Sequence, residues 1–230
     1  MLEAVKHKIN SLSEQKRWSR RPKFKGIDDL CEYHFKVWSN PQHVNRVGLT
    51  FSLRQLEGGP ALIVETGTSA WGTDSSRLFA AYTESFGGSF WSVDSRELPS
   101  ARLGDLGESV HFAVDDSVNF LSNFEIPPPY ESVSLAYLDS WDLNLENPAP
   151  AMEHGLREWH ALLPLLAPGS IVVVDDTPIE FLLFGESITH SGYGGDAIPG
   201  KGALILKDPF FLSHFEVLYH HYNLVMKWVK

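Results

Sequence analysis

Cysteine is nearly absent from this sequence of 230 residues, which contains only Cys31. A single cysteine excludes an internal disulfide and a zinc site with four thiolates, and it favours a reducing compartment, so we expect a cytoplasmic protein. Long apolar runs are also lacking, because the longest, from Ala161 to Val174, is interrupted by two prolines and a glycine. Since the N-terminal segment is charged, the sequence predicts neither a membrane span nor a signal peptide.

Positive charge is scarce outside the first 25 residues. The net charge is −10, but residues 1–25 contain eight Lys/Arg and two Glu, so this leader carries +6 and the remainder carries −16. An acidic body repels a phosphate backbone, which argues against nucleic acid as the main partner. The basic leader either folds back on the acidic body or binds a phosphate-bearing substrate or an anionic surface.

Hydrophobic residues make up 43% of the chain and charged residues 21%, as in an ordinary globular domain. From residue 61 onward, short apolar runs alternate with segments of helical spacing, which predicts five βα units. The predicted strands are Ala61 to Thr66, Ser89 to Asp94, Ser109 to Val114, Val133 to Asp139 and Ser170 to Asp175. Runs such as S-L-A-Y-L and I-V-V-V are typical of strands buried on both faces of a parallel sheet. The predicted fold is therefore a doubly wound, mostly parallel α/β sheet.

The two ends of the chain differ from this pattern. Strand-like runs at Phe215 to Tyr219 and Asn223 to Val229 leave little room for crossover helices, so we predict an antiparallel C-terminal edge. Ala203 to Leu206 fits either a strand or a turn of helix. Residues 1–55 are predicted to form a helical cap with a basic leader, and residues 56–230 the α/β domain.

A glycine turn follows the first predicted strand and reads V-E-T-G-T-S-A-W-G-T over residues 64–73. A dinucleotide fingerprint requires glycine where Ser69 stands, and a phosphate-binding loop requires lysine where Thr73 follows Gly72, so NAD is disfavoured and an ATP loop is excluded. A nucleoside-bearing ligand without phosphates remains. Asp94 ends the second strand, where it can accept hydrogen bonds from two ribose hydroxyls, and Glu65 either orients the turn or meets a cationic ligand group.

Acidic residues follow the fourth and fifth predicted strands, at Asp139, Asp142, Asp175 and Asp176. Neighbouring parallel strands bring these ends to one edge of the sheet, where two carboxylates about 4 Å apart repel by roughly 4 kcal/mol at an effective dielectric near 20. Such a cluster needs protonation, cationic partners or a bound cation. Oxygen ligands without cysteine favour Mg²⁺, with Mn²⁺ or Ca²⁺ as alternatives. The other interpretation is that these aspartates cap turns and helices.

At these residues the chain resembles the class I S-adenosylmethionine-dependent methyltransferases over roughly residues 55–229. The resemblance depends on the turn from Glu65 to Gly72, the acid Asp94 and the D-D-S run at 115–117, which occur in the order of that superfamily's cofactor motifs. It implies the strand order 3-2-1-4-5-7-6. The cofactor contacts that it implies are Glu65, Gly67, Thr68, Ser69 and Gly72 for the methionine part, Asp94 for the ribose, and Asp116 with Ser117 for the adenine.

The acidic cluster narrows the resemblance to metal-dependent O-methyltransferases. In the catechol type, Ser140 and Asp142 would replace a histidine and the catalytic lysine. The macrocin and novobiocin sugar type fits the sequence with one extra residue after the fourth strand. This second alignment implies Asp142, Asp175 and Asp176 as metal ligands, with Asp139 as a further ligand or the catalytic base.

His190 lies in a glycine-rich loop after the fifth βα unit and is predicted as a lid or substrate contact, which makes it a second candidate catalytic residue beside Asp139. The sequence thus predicts Mg²⁺-assisted methyl transfer from S-adenosylmethionine to a hydroxyl of a small molecule of sugar, polyketide or phenolic type. The alternatives are an NAD-type oxidoreductase and a non-catalytic cofactor-binding protein. Homo-oligomerisation is left open.

Overall fold

A computed structural model describes residues 15–69, 72–179 and 200–230 of the protein. In this part of the chain seven strands form one sheet in the order β3-β2-β1-β4-β5-β7-β6. The strands are β1 (Ala61–Thr66), β2 (Gly88–Asp94), β3 (Val110–Val114), β4 (Leu135–Leu138), β5 (Ile171–Val174), β6 (Phe215–His220) and β7 (Leu224–Trp228). Strands β1 to β5 pair in parallel, whereas β7 is antiparallel to both β5 and β6. The predicted α/β fold, its antiparallel C-terminal edge and the implied strand order are confirmed.

The central strands β1, β4 and β5 are buried along their whole length. Alternate residues of each strand enter two separate hydrophobic clusters, as the two-residue period of a β-strand requires. Ile63 and Tyr137 lie in one cluster, whereas Val64 and Leu138 lie in the other. Helices therefore cover both faces of the sheet, which explains why these strands read as continuous apolar runs.

The helices in the described residues are α1 (Ile27–Val37), α2 (Asn45–Arg54), α3 (Ser75–Phe86), α4 (Leu98–Leu103), α5 (Ser117–Asn123), α6 (Ala149–Leu162) and α7 (Pro209–His214). Helix α6 ends at Leu162 and is followed directly by a 3₁₀ helix over Leu163–Leu165. Pro164 lacks the N–H that an α-helix would need there. The ambiguous segment after residue 200 contains a 3₁₀ turn, Ile205–Lys207, and no strand.

The N-terminal helices pack on the same sheet face as α3. Leu30 and Phe35 of α1 and Leu49 and Leu53 of α2 are fully or almost fully buried in one hydrophobic cluster with β1 and α3. Within the basic leader, Arg21 forms an ion pair with Glu84 of α3, so at least this residue folds back on the body. The boundary between residues 55 and 56 stays a prediction. No helix among the described residues has both the length and the apolarity needed to cross a membrane.

Candidate functional site

The glycine turn after β1 packs tightly against the loop after β4. Gly67 has a φ of +83°, and its N–H donates to the Val93 carbonyl at 2.8 Å. A Cβ at this position would lie 2.2 Å from the carbonyl oxygen of Asp139. Glycine is therefore required here both by the backbone conformation and by the close approach of the two loops.

The rest of the turn is held by hydroxyl groups. Ser69, at a φ of +57°, donates its N–H to Ser76 Oγ at 2.7 Å, and the hydroxyls of Thr68 and Ser92 lie 2.8 Å apart. The Gly72 carbonyl accepts a hydrogen bond of 2.6 Å from the Ser39 hydroxyl, which belongs to the N-terminal region. Residues 70 and 71 lie outside the described part of the chain.

Glu65 is fully buried beneath this turn. Its carboxylate accepts hydrogen bonds from Ser75 Oγ at 2.5 Å, Ser76 Oγ at 2.5 Å and Ser92 Oγ at 2.6 Å. Burial raises the pKa of Glu65 to about 7, and the three hydroxyl donors offset part of that rise. Of its two predicted roles, the geometry favours orientation of the turn, because the carboxylate is directed inward to serine side chains.

Asp94 ends β2 at the same edge of the sheet, and 6% of its surface is exposed. Its Oδ1 accepts from the backbone N–H of Arg96 at 2.8 Å and from Arg96 Nε at 2.9 Å, while Oδ2 accepts from Arg96 Nη2 at 3.1 Å. The Arg96 side chain is 70% exposed. Because this arginine is well solvated even without its partner, the carboxylate can exchange Arg96 for ribose hydroxyls.

The predicted adenine contacts lie at the start of α5. Asp116 is exposed and caps this helix, since its Oδ1 accepts from the N–H of Asn119 at 3.0 Å. Ser117 is buried, and its hydroxyl lies 3.0 Å from His154 Nε2. The Ser140 hydroxyl also lies 2.9 Å from His154 Nε2. His154 was not predicted from the sequence, because it is 14 residues from Ser140 and belongs to a different element, α6.

Three of the four carboxylates predicted to meet after β4 and β5 lie together, and from here on the acidic cluster means Asp139, Asp175 and Asp176. Tyr137 links two of its members, because its hydroxyl lies 2.8 Å from Asp175 Oδ2 and 3.4 Å from Asp139 Oδ2. Burial and the neighbouring charge of Asp176 raise the pKa of Asp175 to about 6.

A lysine occupies the acidic cluster, and the sequence analysis did not identify it. Lys201 Nζ lies 2.5 Å from Asp139 Oδ1 and 3.1 Å from Asp176 Oδ2, and the lysine is 4% exposed. Burial alone would lower the pKa of Lys201, but the three carboxylates outweigh it and raise the pKa, which keeps the ammonium charged. The Gly-Lys-Gly run at 200–202 was the available signal, since flanking glycines indicate a close backbone approach.

Amide and phenol donors occupy further oxygens of the acidic cluster. Asp175 Oδ1 accepts from Asn223 Nδ2 at 2.6 Å, and Asp175 Oδ2 accepts from Asn45 Nδ2 at 2.9 Å. Asp176 Oδ1 accepts from the Tyr222 hydroxyl at 2.6 Å. Asn45 also donates to Thr73 Oγ1 at 3.2 Å, so this α2 residue connects the glycine turn with the acidic cluster.

The residues present do not fit a divalent metal in the arrangement that the structure describes. Within the described ranges, no group of three or more His, Cys, Asp or Glu could hold a metal ion. Lys201 and the neutral donors occupy the oxygens that a metal would need. Asp142 was predicted as a ligand, but it is exposed in the loop after β4. Asp139, three residues earlier, is held at the end of β4 because its N–H donates to the Thr66 carbonyl at 3.0 Å. His190 lies outside the described residues.

The β1 and β2 ends do fit S-adenosylmethionine. Asp94, at the end of β2, has a nearly buried carboxylate that can accept hydrogen bonds from ribose hydroxyls, and the glycine turn, whose shape is kept by Glu65 and its serines, stands at the same edge. Ligands of doubly wound sheets bind at this edge, outside the carboxyl ends of the strands. The seven-stranded sheet with its antiparallel β7 gives the protein the fold of the class I S-adenosylmethionine-dependent methyltransferases.

Three solved structures illustrate the similarity. The MycE methyltransferase from the mycinamycin biosynthetic pathway, in complex with Mg and SAH, is 17% identical over 92% of this chain and 56% of its own, with a TM-score of 0.59. The O-methyltransferase NovP is 14% identical over 89% and 98%, with a TM-score of 0.55. A putative caffeoyl-CoA O-methyltransferase from Staphylococcus aureus is 11% identical over 98% and 100%, with a TM-score of 0.53.

The chain thus spans just over half the length of the MycE methyltransferase. At these identities the similarity shows the fold. No protein-family model matches the sequence, and a search of curated proteins finds no significant similarity.

Proposed function

We propose that this protein transfers a methyl group from S-adenosylmethionine to a hydroxyl of a small molecule. The observation that carries the proposal is the shared position of the glycine turn at Gly67 and the carboxylate of Asp94 at one edge of the sheet, on a fold shared with methyltransferases. The MycE structure contains SAH, and in another crystal also mycinamycin VI, which supports a small-molecule acceptor. NovP is described as an O-methyltransferase, which supports oxygen as the acceptor atom.

Each part of the edge has a task in this reaction. When bound, S-adenosylmethionine supplies a methyl group on a positively charged sulfur. Glu65 and its serines keep the turn in shape, and Asp94 accepts hydrogen bonds from the ribose hydroxyls. Asp139, at the end of β4 and near the glycine turn, would accept the proton of the acceptor hydroxyl. Holding the two reactants in line supplies much of the rate enhancement.

This mechanism includes no step that uses Mg²⁺, because Lys201 and neutral donors occupy the acidic cluster. The acceptor class remains a sugar, polyketide or phenol. The acidic body supports a partner other than nucleic acid. A cytoplasmic location and homo-oligomerisation remain predictions.

Calorimetry with SAH and NAD tests the proposal and separates it from the two alternatives. We expect SAH to bind and NAD to show no heat, because Ser69 replaces the glycine at which a pyrophosphate approaches the backbone. NAD binding without SAH binding would indicate the oxidoreductase instead. A protein that binds SAH but transfers no labelled methyl group to any member of a panel of sugars, polyketides and phenols would be a non-catalytic binding protein.

A further inference from the structure

The ammonium of Lys201 is fixed in the acidic cluster by its own backbone. The Lys201 N–H donates to the Asp176 carbonyl at 3.0 Å, and the Gly202 N–H donates to Thr177 Oγ1 at 2.9 Å. A Cβ on Gly200 would lie 2.7 Å from the Asp176 carbonyl oxygen. The segment is therefore packed directly against the chain that carries two of the carboxylates, so Lys201 does not reach the cluster as a free surface side chain.

A neighbouring helix also fits closely around this lysine. A Cβ on Gly155 of α6 would lie 2.6 Å from the Lys201 carbonyl oxygen, and a Cβ on Gly202 would lie 2.8 Å from Thr177 Cγ2. Three glycines, at 155, 200 and 202, thus allow the lysine backbone to approach both α6 and the loop after β5. The position of the ammonium is built into the fold.

The oxygens of the acidic cluster already have protein partners. Lys201 takes one oxygen of Asp139 and one of Asp176, Tyr222 takes the other oxygen of Asp176, and both oxygens of Asp175 accept from amides. Mg²⁺ requires nearly octahedral oxygen coordination at about 2.0–2.1 Å. Such coordination would require displacement of the buried ammonium and of several neutral donors.

We propose that Lys201 is the resident cation of the acidic cluster and that it takes the place of a divalent metal ion in this protein. The inference rests on the proposed methyl transfer and specifies it as a metal-independent reaction. As the acceptor oxygen bonds to the methyl carbon, the carbon–sulfur bond breaks, its electron pair stays on sulfur, and the hydroxyl proton moves to Asp139. Lys201 stays protonated and acts as a positioning residue for the Asp139 and Asp176 carboxylates.

Manganese binding followed by electron paramagnetic resonance tests this proposal on the full chain. We expect the wild-type protein to bind Mn²⁺ no more tightly than about 1 mM, with or without SAH. Lys201→Ala removes the positive charge between the carboxylates, so Mn²⁺ should bind about tenfold or more tightly to this variant. Lys207→Ala, at an exposed position six residues away, is the matched control and should behave as the wild type.

Micromolar Mn²⁺ binding by the wild-type protein, abolished in Asp175→Asn, would overturn the proposal. A folded Lys201→Ala protein that gains no Mn²⁺ affinity would also overturn it. The wild-type titration decides the matter if Lys201→Ala does not fold. SAH calorimetry on the same samples separates the two claims. Failure of the wild-type protein to bind SAH would contradict the proposed function, whereas the Mn²⁺ results concern only the role of Lys201.

Discussion

Buried carboxyl groups are stabilised differently in the two halves of the sheet edge, at the ends of β1 and β2 and at the ends of β4 and β5. Under the glycine turn, one buried carboxyl, Glu65, is satisfied by three neutral hydroxyls. At the ends of β4 and β5, three carboxylates meet, and the ammonium of Lys201 lies among them. One buried acid can avoid the cost of desolvation by keeping its proton near neutral pH, as the raised pKa of Glu65 shows. Three acids in contact require a positive charge as well.

The largest effect is expected where the two halves touch, at Gly67. Gly67→Ala places a Cβ at a φ of +83° and 2.2 Å from the Asp139 carbonyl oxygen. Backbone strain and overpacking together should lower the free energy of unfolding by about 3–5 kcal/mol and abolish SAH binding. Thermal and urea unfolding with SAH calorimetry measure both.

Gly169→Ala is the matched control, because Gly169 has a φ of +101° with nothing within 4 Å of the added Cβ. It should carry the strain alone and leave SAH binding unchanged. Equal destabilisation by the two variants would show that the contact between the loops contributes little.

The protonation of Glu65 should make the free energy of unfolding depend on pH. The pKa of Glu65 rises from its ordinary value of 4.5 to about 7 on folding. Between these values the folded state binds one proton more than the unfolded state. The stabilisation is therefore complete below pH 4.5 and lost as the pH rises to about 7, a change of about 3 kcal/mol. Urea unfolding from pH 4 to 8 should show this fall for the wild type relative to Glu65→Gln, which cannot titrate.

Glu153→Gln at an exposed position is the control, and its difference from the wild type should stay nearly constant over the same pH range. A constant difference between the wild type and Glu65→Gln would mean that Glu65 is ionised throughout, with the serines stabilising its charge.

The affinity for SAH should depend more on Asp94 than on Arg96, which bonds to Asp94 in the structure. Asp94→Asn removes the charge that accepts the ribose hydroxyls, and hydrogen bonds to charged groups contribute about 1.5–3 kcal/mol. SAH binding should therefore weaken by roughly 10- to 100-fold in calorimetry.

Arg96→Ala removes a side chain that is 70% exposed and should change SAH affinity by less than about fivefold. A larger loss in Arg96→Ala than in Asp94→Asn would assign the cofactor contact to the arginine.

The smallest effect is expected at Asp142, the predicted metal ligand that the structure leaves exposed. Asp142→Asn should change the free energy of unfolding by less than about 0.5 kcal/mol, as for most surface substitutions. Its SAH affinity should equal that of the wild type. A strong loss of either would place Asp142 back in the acidic cluster.

The fold was predictable because its signals are local. Continuous apolar runs such as the one around Tyr137 predicted the strands before their partners were known, because a strand buried on both faces is apolar at every position. The C-terminal edge followed from loops too short for a crossover helix. The bounds of α6 were less predictable, since the α-helix ends at Leu162 and a 3₁₀ helix that contains Pro164 follows it directly.

The site was predictable only in part. Glu65, Gly67 and Asp94 lie directly after predicted strands, and their positions at one edge followed from the parallel sheet. Asn45 and Asn223 could not be predicted, because they reach Asp175 from 130 and 48 residues away and no short motif marks them. Asp142 was predicted as a metal ligand from a motif that fits this sequence only with one extra residue after β4. In the structure Asp139 lies at the end of β4, whereas Asp142 is exposed in the loop that follows.

The sequence by itself determined the α/β architecture, the glycine turn and the meeting of carboxylates after β4 and β5, because hydrophobic periodicity and strand ends are encoded by neighbouring residues. The tertiary structure alone decided what neutralises those carboxylates. Lys201 is 62 residues from Asp139 along the chain, and only packing of residues 200–202 against the loop after β5 brings its ammonium between Asp139 and Asp176. Charge compensation depends on distance in space, which sequence spacing does not specify.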